Sequence, residues 1–165
     1  MSTIKQEDLE GQRALVTGAT SGIGRAVALE LARDGAEVVV HGRNAERGAQ
    51  TVDEITAAGG HASFVAADLT DAADLQWLAS EAGDIDILIN NAGISAFGPT
   101  AEFDPAVFDE MFANNVRAPF FLVAALAPGW RRGATAASSV SAAWLAVSGS
   151  SAVPRTARPR SRSRQ

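Results

Sequence analysis

The chain has 165 residues, of which 47% are hydrophobic and 20% charged, with a formal net charge of −5 and no cysteine. That composition excludes a disordered polymer, a disulfide-stapled module and a cysteine-ligated metal centre, and the length suits one domain with a sizeable core. The longest apolar run, 119–128, is too short to cross a bilayer and the polar start 1–8 has no signal-peptide core, so a soluble, cytoplasmic protein is expected.

The charge is unevenly placed. Up to Gly129 the chain carries all 19 acidic residues against seven basic ones, a net −12; beyond it come seven arginines and no acid. Such asymmetry marks either a functional basic tail or segments of different origin.

After a polar lead-in, 13–17 predicts a first strand. Three glycines follow, Gly18, Gly22 and Gly24, and then an apolar-periodic helix to about 34, stopped by Gly35. Residues 37–41 form a β-branched run of the sort buried on both faces of a parallel sheet. A helix over 45–58 ends at Gly59-Gly60; a third strand covers 62–66, a helix 71–82, and a fourth strand 85–90. A single helix is expected over 105–126, with Phe108, Met111, Phe112 and Val116 at helical spacing. The alternation predicts an α/β fold: a parallel sheet of about four strands, flanked by helices. With no strand beyond the fourth, 85–89 would be an exposed apolar edge. Phe97 and Phe103 follow the Asn-Asn-Ala-Gly turn and read as core residues ahead of the alternative that they line a pocket. His41 and His61 read as strand-end or loop residues, and no metal site is expected.

In such sheets ligands sit beyond the carboxyl ends of the strands. Four features converge there: the glycine turn, Gly42-Arg43, Asp68, and Asn90-Asn91-Ala92-Gly93. Glycine lets a backbone turn sharply and lets an anion approach, and the orphan N–H groups of the following helix favour a phosphate. The turn therefore reads as a dinucleotide pyrophosphate cradle, against the alternative of an ordinary turn packed with glycines. About 20 residues further on, an acid would bind a ribose 2′-hydroxyl, whereas arginine suits a 2′-phosphate. Arg43 stands there, which favours NADP over NAD unless it is a solvated loop cation.

Together, Thr17-Gly18-x-x-x-Gly22-Ile23-Gly24, Asp68-Leu69, Asn90-Asn91-Ala92-Gly93 and Asn115-Val116 closely resemble the short-chain dehydrogenase/reductase family, over roughly 12–128. The resemblance implies a Rossmann-like domain, hydride transfer between NADP(H) and an alcohol or carbonyl substrate, and homo-oligomeric full-length relatives. It places Gly18, Ser21, Gly22 and Ile23 along the pyrophosphate and Asp68 at the adenine, with Gly24 and Leu69 also among the cofactor-binding residues. Asn90, Ala92 and Gly93 fall on the adenosine and nicotinamide sides, and Asn115 becomes the helix asparagine that orders a proton-relay water. Plainer readings stand beside two of these: Asp68 as the N-cap of the next helix, and Asn115 as a satisfied helix polar group.

The family's chemistry also needs a serine, and a tyrosine whose pKa is lowered by a lysine one helical turn on. This chain has no tyrosine, and its only lysine is Lys5. Beyond 128 the composition turns abruptly to Ala, Ser, Arg, Gly, Pro and Trp. Loss of one base in codon 129 would produce such a tail, each original codon being the last base of a present codon joined to the first two of the next. In that frame Ser138 and Ser139 accommodate Ile and Val, the slot of Ala143 accommodates Ser, Thr156 accommodates Tyr and Arg160 accommodates Lys. All fall in the family's register. The organisation expected is thus a partial cofactor-binding domain over 12–128 and a frameshifted, disordered or irregular tail over 129–165, the whole being catalytically incomplete. Two rivals remain: a non-catalytic nucleotide-binding or interaction module, and nucleic-acid binding through the arginines of 155–165.

Overall fold

The computed structural model describes residues 9–129 and 137–140. Five strands, β1 (Arg13–Val16), β2 (Glu37–Gly42), β3 (His61–Ala66), β4 (Ile87–Asn90) and β5 (Ala137–Val140), form one parallel sheet in the order β3-β2-β1-β4-β5. Helices α1 (Gly22–Arg33), α2 (Ala45–Ala57) and α3 (Ala72–Ala82) connect the first four strands, and α4 (Pro105–Phe112) and α5 (Ala118–Leu126) follow β4. The chain builds outward from β1 to β3, then returns to place β4 on β1's other side. The crevice at this reversal, between the carboxyl ends of β1 and β4, is where an open α/β sheet receives a ligand.

The β-branched and aliphatic strands are buried because both sheet faces are covered. Side chains alternate across a strand, so Ala14, Val16, Val38 and Val40 pack with Ala28, Ala32 and Ile55 under α1 and α2. Leu15, Val39 and Leu88 face the other way, onto Leu75, Leu78, Leu122 and Leu126 of α3 and α5. Helix starts follow local chemistry: Asn44, Asp71 and Asp104 each accept a backbone N–H of the first turn of α2, α3 and α4. Asp71, not Asp68, is therefore the N-cap of α3.

Three expectations need correcting. The sheet does not end at β4: β5 pairs with it in register, Leu88 opposite Ser138 and Asn90 opposite Val140, so 85–89 is no open edge. Of the two forms open to 134–147, irregular helix or strand, the strand is found at Ala137–Val140; the rest of that tail lies outside the described residues. The single helix over 105–126 is interrupted, because Ala113–Arg117 takes a π-helical turn between α4 and α5. Single π turns of this kind relieve the ladder where a side chain must be re-aimed, and Asn114 and Asn115 occupy this one. Finally, Phe97 is 66% exposed and not core. Phe103 joins Phe108 and Met111 around a separate apolar cavity of about 350 Å³.

Candidate nucleotide site

The carboxyl edge of the sheet carries a cavity of about 290 Å³, whose lining includes Gly18, Ser21, Arg43, Leu69, Ala92 and Gly93. Six of the residues expected at the site thus meet in one place. Gly22, Ile23, Gly24, Asp68, Asn90 and Asn115 do not line it directly.

The glycine turn is held by its neighbours on both sides. Toward β4, the Thr17 hydroxyl accepts from the N–H groups of Asn91 and Ala92, both at 3.0 Å. The Asn91 side chain returns a bond, Nδ2 donating to the Thr17 carbonyl at 3.0 Å. Gly18 has φ +67°, and a Cβ there would lie 2.9 Å from Ala92 Cα. At Gly24 a Cβ would stand 2.3 Å from Asn91 Nδ2 and 2.5 Å from the Gly18 carbonyl, so only glycine lets α1 pack this closely on the turn. Toward β2, consecutive turn amides end on one residue: Ala19 N–H donates to the His41 carbonyl at 2.9 Å, and Gly18 N–H to His41 Nδ1 at 3.3 Å.

Unlike α2, α3 and α4, α1 receives no hydrogen bond from its N-cap side chain, Ser21, whose backbone is extended. Its leading amides are the orphan donors of a helix N-terminus, next to a cavity wall rich in polar groups. Ile23 stands 75% exposed in this first turn, unusual for so large an apolar side chain. A cradle that a Cβ would fill, uncapped amides and a bare apolar side chain together fit a dinucleotide.

Across the crevice, Asp68 Oδ1 accepts from the N–H and the hydroxyl of Thr70, at 2.9 and 2.8 Å. These bonds hold its carboxyl below the usual range and keep it ionised. Asn90 is buried at the end of β4. Asn115 reaches the site through another residue: its Oδ1 accepts Ile94 N–H at 2.9 Å and its Nδ2 donates to the Ile94 carbonyl at 2.8 Å. Ile94 itself lines the cavity, as does Asn114.

Several contributors, Arg47 and His41 among them, were not legible as site residues in the sequence. Arg47 joins Arg43 on the cavity wall. It lies one helical turn beyond Arg43, just inside α2, and the Asn44 cap was the available signal. His41 directly follows a buried valine run and is itself buried, so its ring needs a polar partner.

These features define a Rossmann-like α/β protein with its ligand edge at the β1/β4 reversal. The profile of the short chain dehydrogenase family matches residues 12–142, and the chain belongs to that family. A hydroxynaphthalene reductase-like protein, Arp2, of Metarhizium robertsii is 44% identical over 119 residues, covering 69% of this chain and 45% of that protein. Gluconate 5-dehydrogenase of Gluconobacter oxydans is 46% identical over 123 residues, covering 72% and 48%. Among solved structures, a metagenomic short-chain oxidoreductase in complex with NADP superposes with a TM-score of 0.71 at 41% identity, covering 74% of this chain and 58% of that one. The chain spans about half the length of the curated relatives it matches.

Proposed function

We propose that this chain is the NADP-binding portion of a cytoplasmic short-chain oxidoreductase, moving hydride between NADP(H) and an alcohol or carbonyl substrate. The observation that carries this reading is the pair Arg43 and Arg47 on the cavity wall, with no carboxylate among the lining residues. Guanidinium groups are good phosphate partners, and an acid at this strand end would repel a 2′-phosphate. The NADP-bound relative supports the same choice. Bound NADP(H) would supply the hydride. The chain's own residues would receive the pyrophosphate on the leading amides of α1, place Asp68 at the adenine end, and fix the loop after β4 through Asn115. Titration of the 165-residue chain with NADPH and NADH tests this. NADPH should bind at least about tenfold tighter, roughly one good charge-assisted contact, and Arg43→Ala with Arg47→Ala should remove most of the difference. Equal affinities would overturn the NADP preference, and no binding of either would overturn the cofactor reading.

The chemical half is a second matter. No tyrosine is present and Lys5 is the only lysine, so within these 165 residues the family's proton donor has no candidate. The domain reading over 12–128, followed by a tail translated out of frame from about codon 129, accounts for this and for the arginines. It predicts nucleotide binding without carbonyl reduction. The gene sequence decides the frame: Tyr and Lys codons at the slots of Thr156 and Arg160 support it, and a stop codon before the first of them refutes it. A confirmed present frame with nucleotide binding and no turnover would instead favour the non-catalytic module.

A further inference from the structure

His41 is 2% exposed, and both of its ring nitrogens face backbone groups of different segments. Nδ1 lies 3.3 Å from the Gly18 nitrogen, which can only donate. Nε2 lies 3.2 Å from the Ala67 carbonyl, which can only accept. The two contacts together require one form of the ring: neutral, with the proton on Nε2. The residue's own carbonyl takes the next amide, Ala19 N–H. A single side chain thus links the glycine turn after β1 to the end of β3, one residue before Asp68. The charged groups that face the ring are Arg43, from the loop after β2, and Asp68, from the end of β3.

We infer that His41 is a positioning residue of the nucleotide cradle: its Nδ1 accepts from Gly18 and so fixes the phosphate turn, while the bond from Nε2 to the Ala67 carbonyl selects the ring tautomer that leaves Nδ1 an acceptor. This rests on the nucleotide reading above. Because Gly18 and Ala19 direct their amides inward to His41, the amides left to meet an anion are those leading into α1. Loss of the Nδ1 acceptor would free the Gly18 amide and let the turn shift away from the corner that holds the other end of a dinucleotide. Loss of the Nε2 donor would leave the phosphate end in place.

The two amide substitutions separate these contacts. In His41→Asn the side-chain oxygen can stand where Nδ1 stands, keeping the Gly18 bond. In His41→Gln the amide reaches the Nε2 position instead, keeping the Ala67 bond and losing the Gly18 one. Dissociation constants for NADPH are measured on the full chain and both variants. The ring of the unaltered protein is read by long-range proton–nitrogen NMR. His41→Gln should weaken NADPH by about tenfold or more, and His41→Asn by no more than about threefold, the span of one lost hydrogen bond against a retained one. The NMR should show a neutral ring with its proton on Nε2. A proton on Nδ1, His41→Gln binding as tightly as the unaltered chain, or His41→Asn binding as weakly as His41→Gln would each overturn the inference. If either variant fails to fold, the NMR tautomer decides alone. No NADPH binding by the unaltered chain would refute the nucleotide reading itself, and this inference with it; normal binding with His41→Gln unaffected refutes only the inference.

Discussion

Asn115 and Ile94 are locked together through both halves of one peptide: the Asn115 side-chain oxygen accepts the Ile94 N–H at 2.9 Å while its nitrogen donates to the Ile94 carbonyl at 2.8 Å. Asn114 Nδ2 adds a third bond, donating to the same oxygen at 3.0 Å. Three of the four hydrogen-bonding positions of the amide are therefore taken up by the chain. The Asn115 side chain is thus the satisfied helix polar group of the plainer reading, carried by the π-helical turn.

Substituting Asn115 should accordingly be felt first as stability. Asn115→Ala strands the N–H and the carbonyl of Ile94 and should cost about 1–3 kcal/mol. Asn115→Asp should do no better, because its second oxygen would face the Ile94 carbonyl instead of donating to it. Urea unfolding of the three chains checks this; an Asp variant as stable as the Asn parent would contradict the two-way bond.

His41 makes stability depend on pH. Burial pushes its imidazole down from 6.5 to about 4, the Ala67 carbonyl opposing this in part and Arg43 adding to the depression. The unfolded chain takes up a proton below about pH 6.5, while the folded chain does not until about pH 4. The unfolded state binds more protons in that window, so stability falls as pH falls through it and is unaffected by this residue above it. The total is about 3 kcal/mol by pH 4, at roughly 1.4 kcal/mol per unit. Asp68, whose carboxyl the Thr70 bonds depress, adds its own loss only below the ordinary aspartate range. Unfolding free energies between pH 7 and 4 should slope downward in the parent and be flatter in His41→Asn. Equal slopes would contradict a buried neutral ring.

The alternation of apolar runs with glycine-stopped helices was enough to read four strands and their connecting helices, because burial on both faces leaves Val38, Val39 and Val40 no polar alternation. β5 was not legible. Its sequence, Ala-Ser-Ser-Val, carries little apolar signal, and it becomes a strand by pairing with β4. The π turn was hidden for a related reason: Asn114 and Asn115 keep helical spacing, and the interruption shows only when Asn115 meets Ile94, 21 residues away in the chain. At the site, the glycines and Arg43 announced themselves by type and place. Arg47 and His41 did not, and Thr17 stood in the motif without a task of its own, since their meaning lies in partners that the fold brings in from elsewhere.

Gly24 should tolerate nothing larger. In Gly24→Ala the new methyl would press on Asn91 Nδ2 and the Gly18 carbonyl at once, and a backbone oxygen cannot move without opening the turn. Overpacking of this sort costs about 1–3 kcal/mol, and here the strain falls on the cradle. A lowered melting temperature should accompany weakened NADPH binding. Unchanged affinity in a folded Gly24→Ala chain would show that the close approach of α1 is not needed for the nucleotide.

Thr17 gives the sharpest contrast between packing and hydrogen bonding. It is 1% exposed, and its hydroxyl accepts two amides, from Asn91 and Ala92, while donating to the Ile89 carbonyl at 3.3 Å. Thr17→Val keeps the shape and removes all three bonds, leaving the Ala92 amide without an acceptor and the Asn91 amide with only the Ile89 carbonyl at 3.1 Å, for roughly 1–3 kcal/mol. Thr17→Ser removes only a methyl and should cost about 1 kcal/mol. The order parent, Ser, Val in unfolding free energy is therefore expected, with the larger step at Val. If Val proved the milder change, the hydroxyl would not be what joins the glycine turn to the Asn-Asn-Ala-Gly turn, and the coupling of the two strand ends would have to come from packing across Gly18 and Gly24.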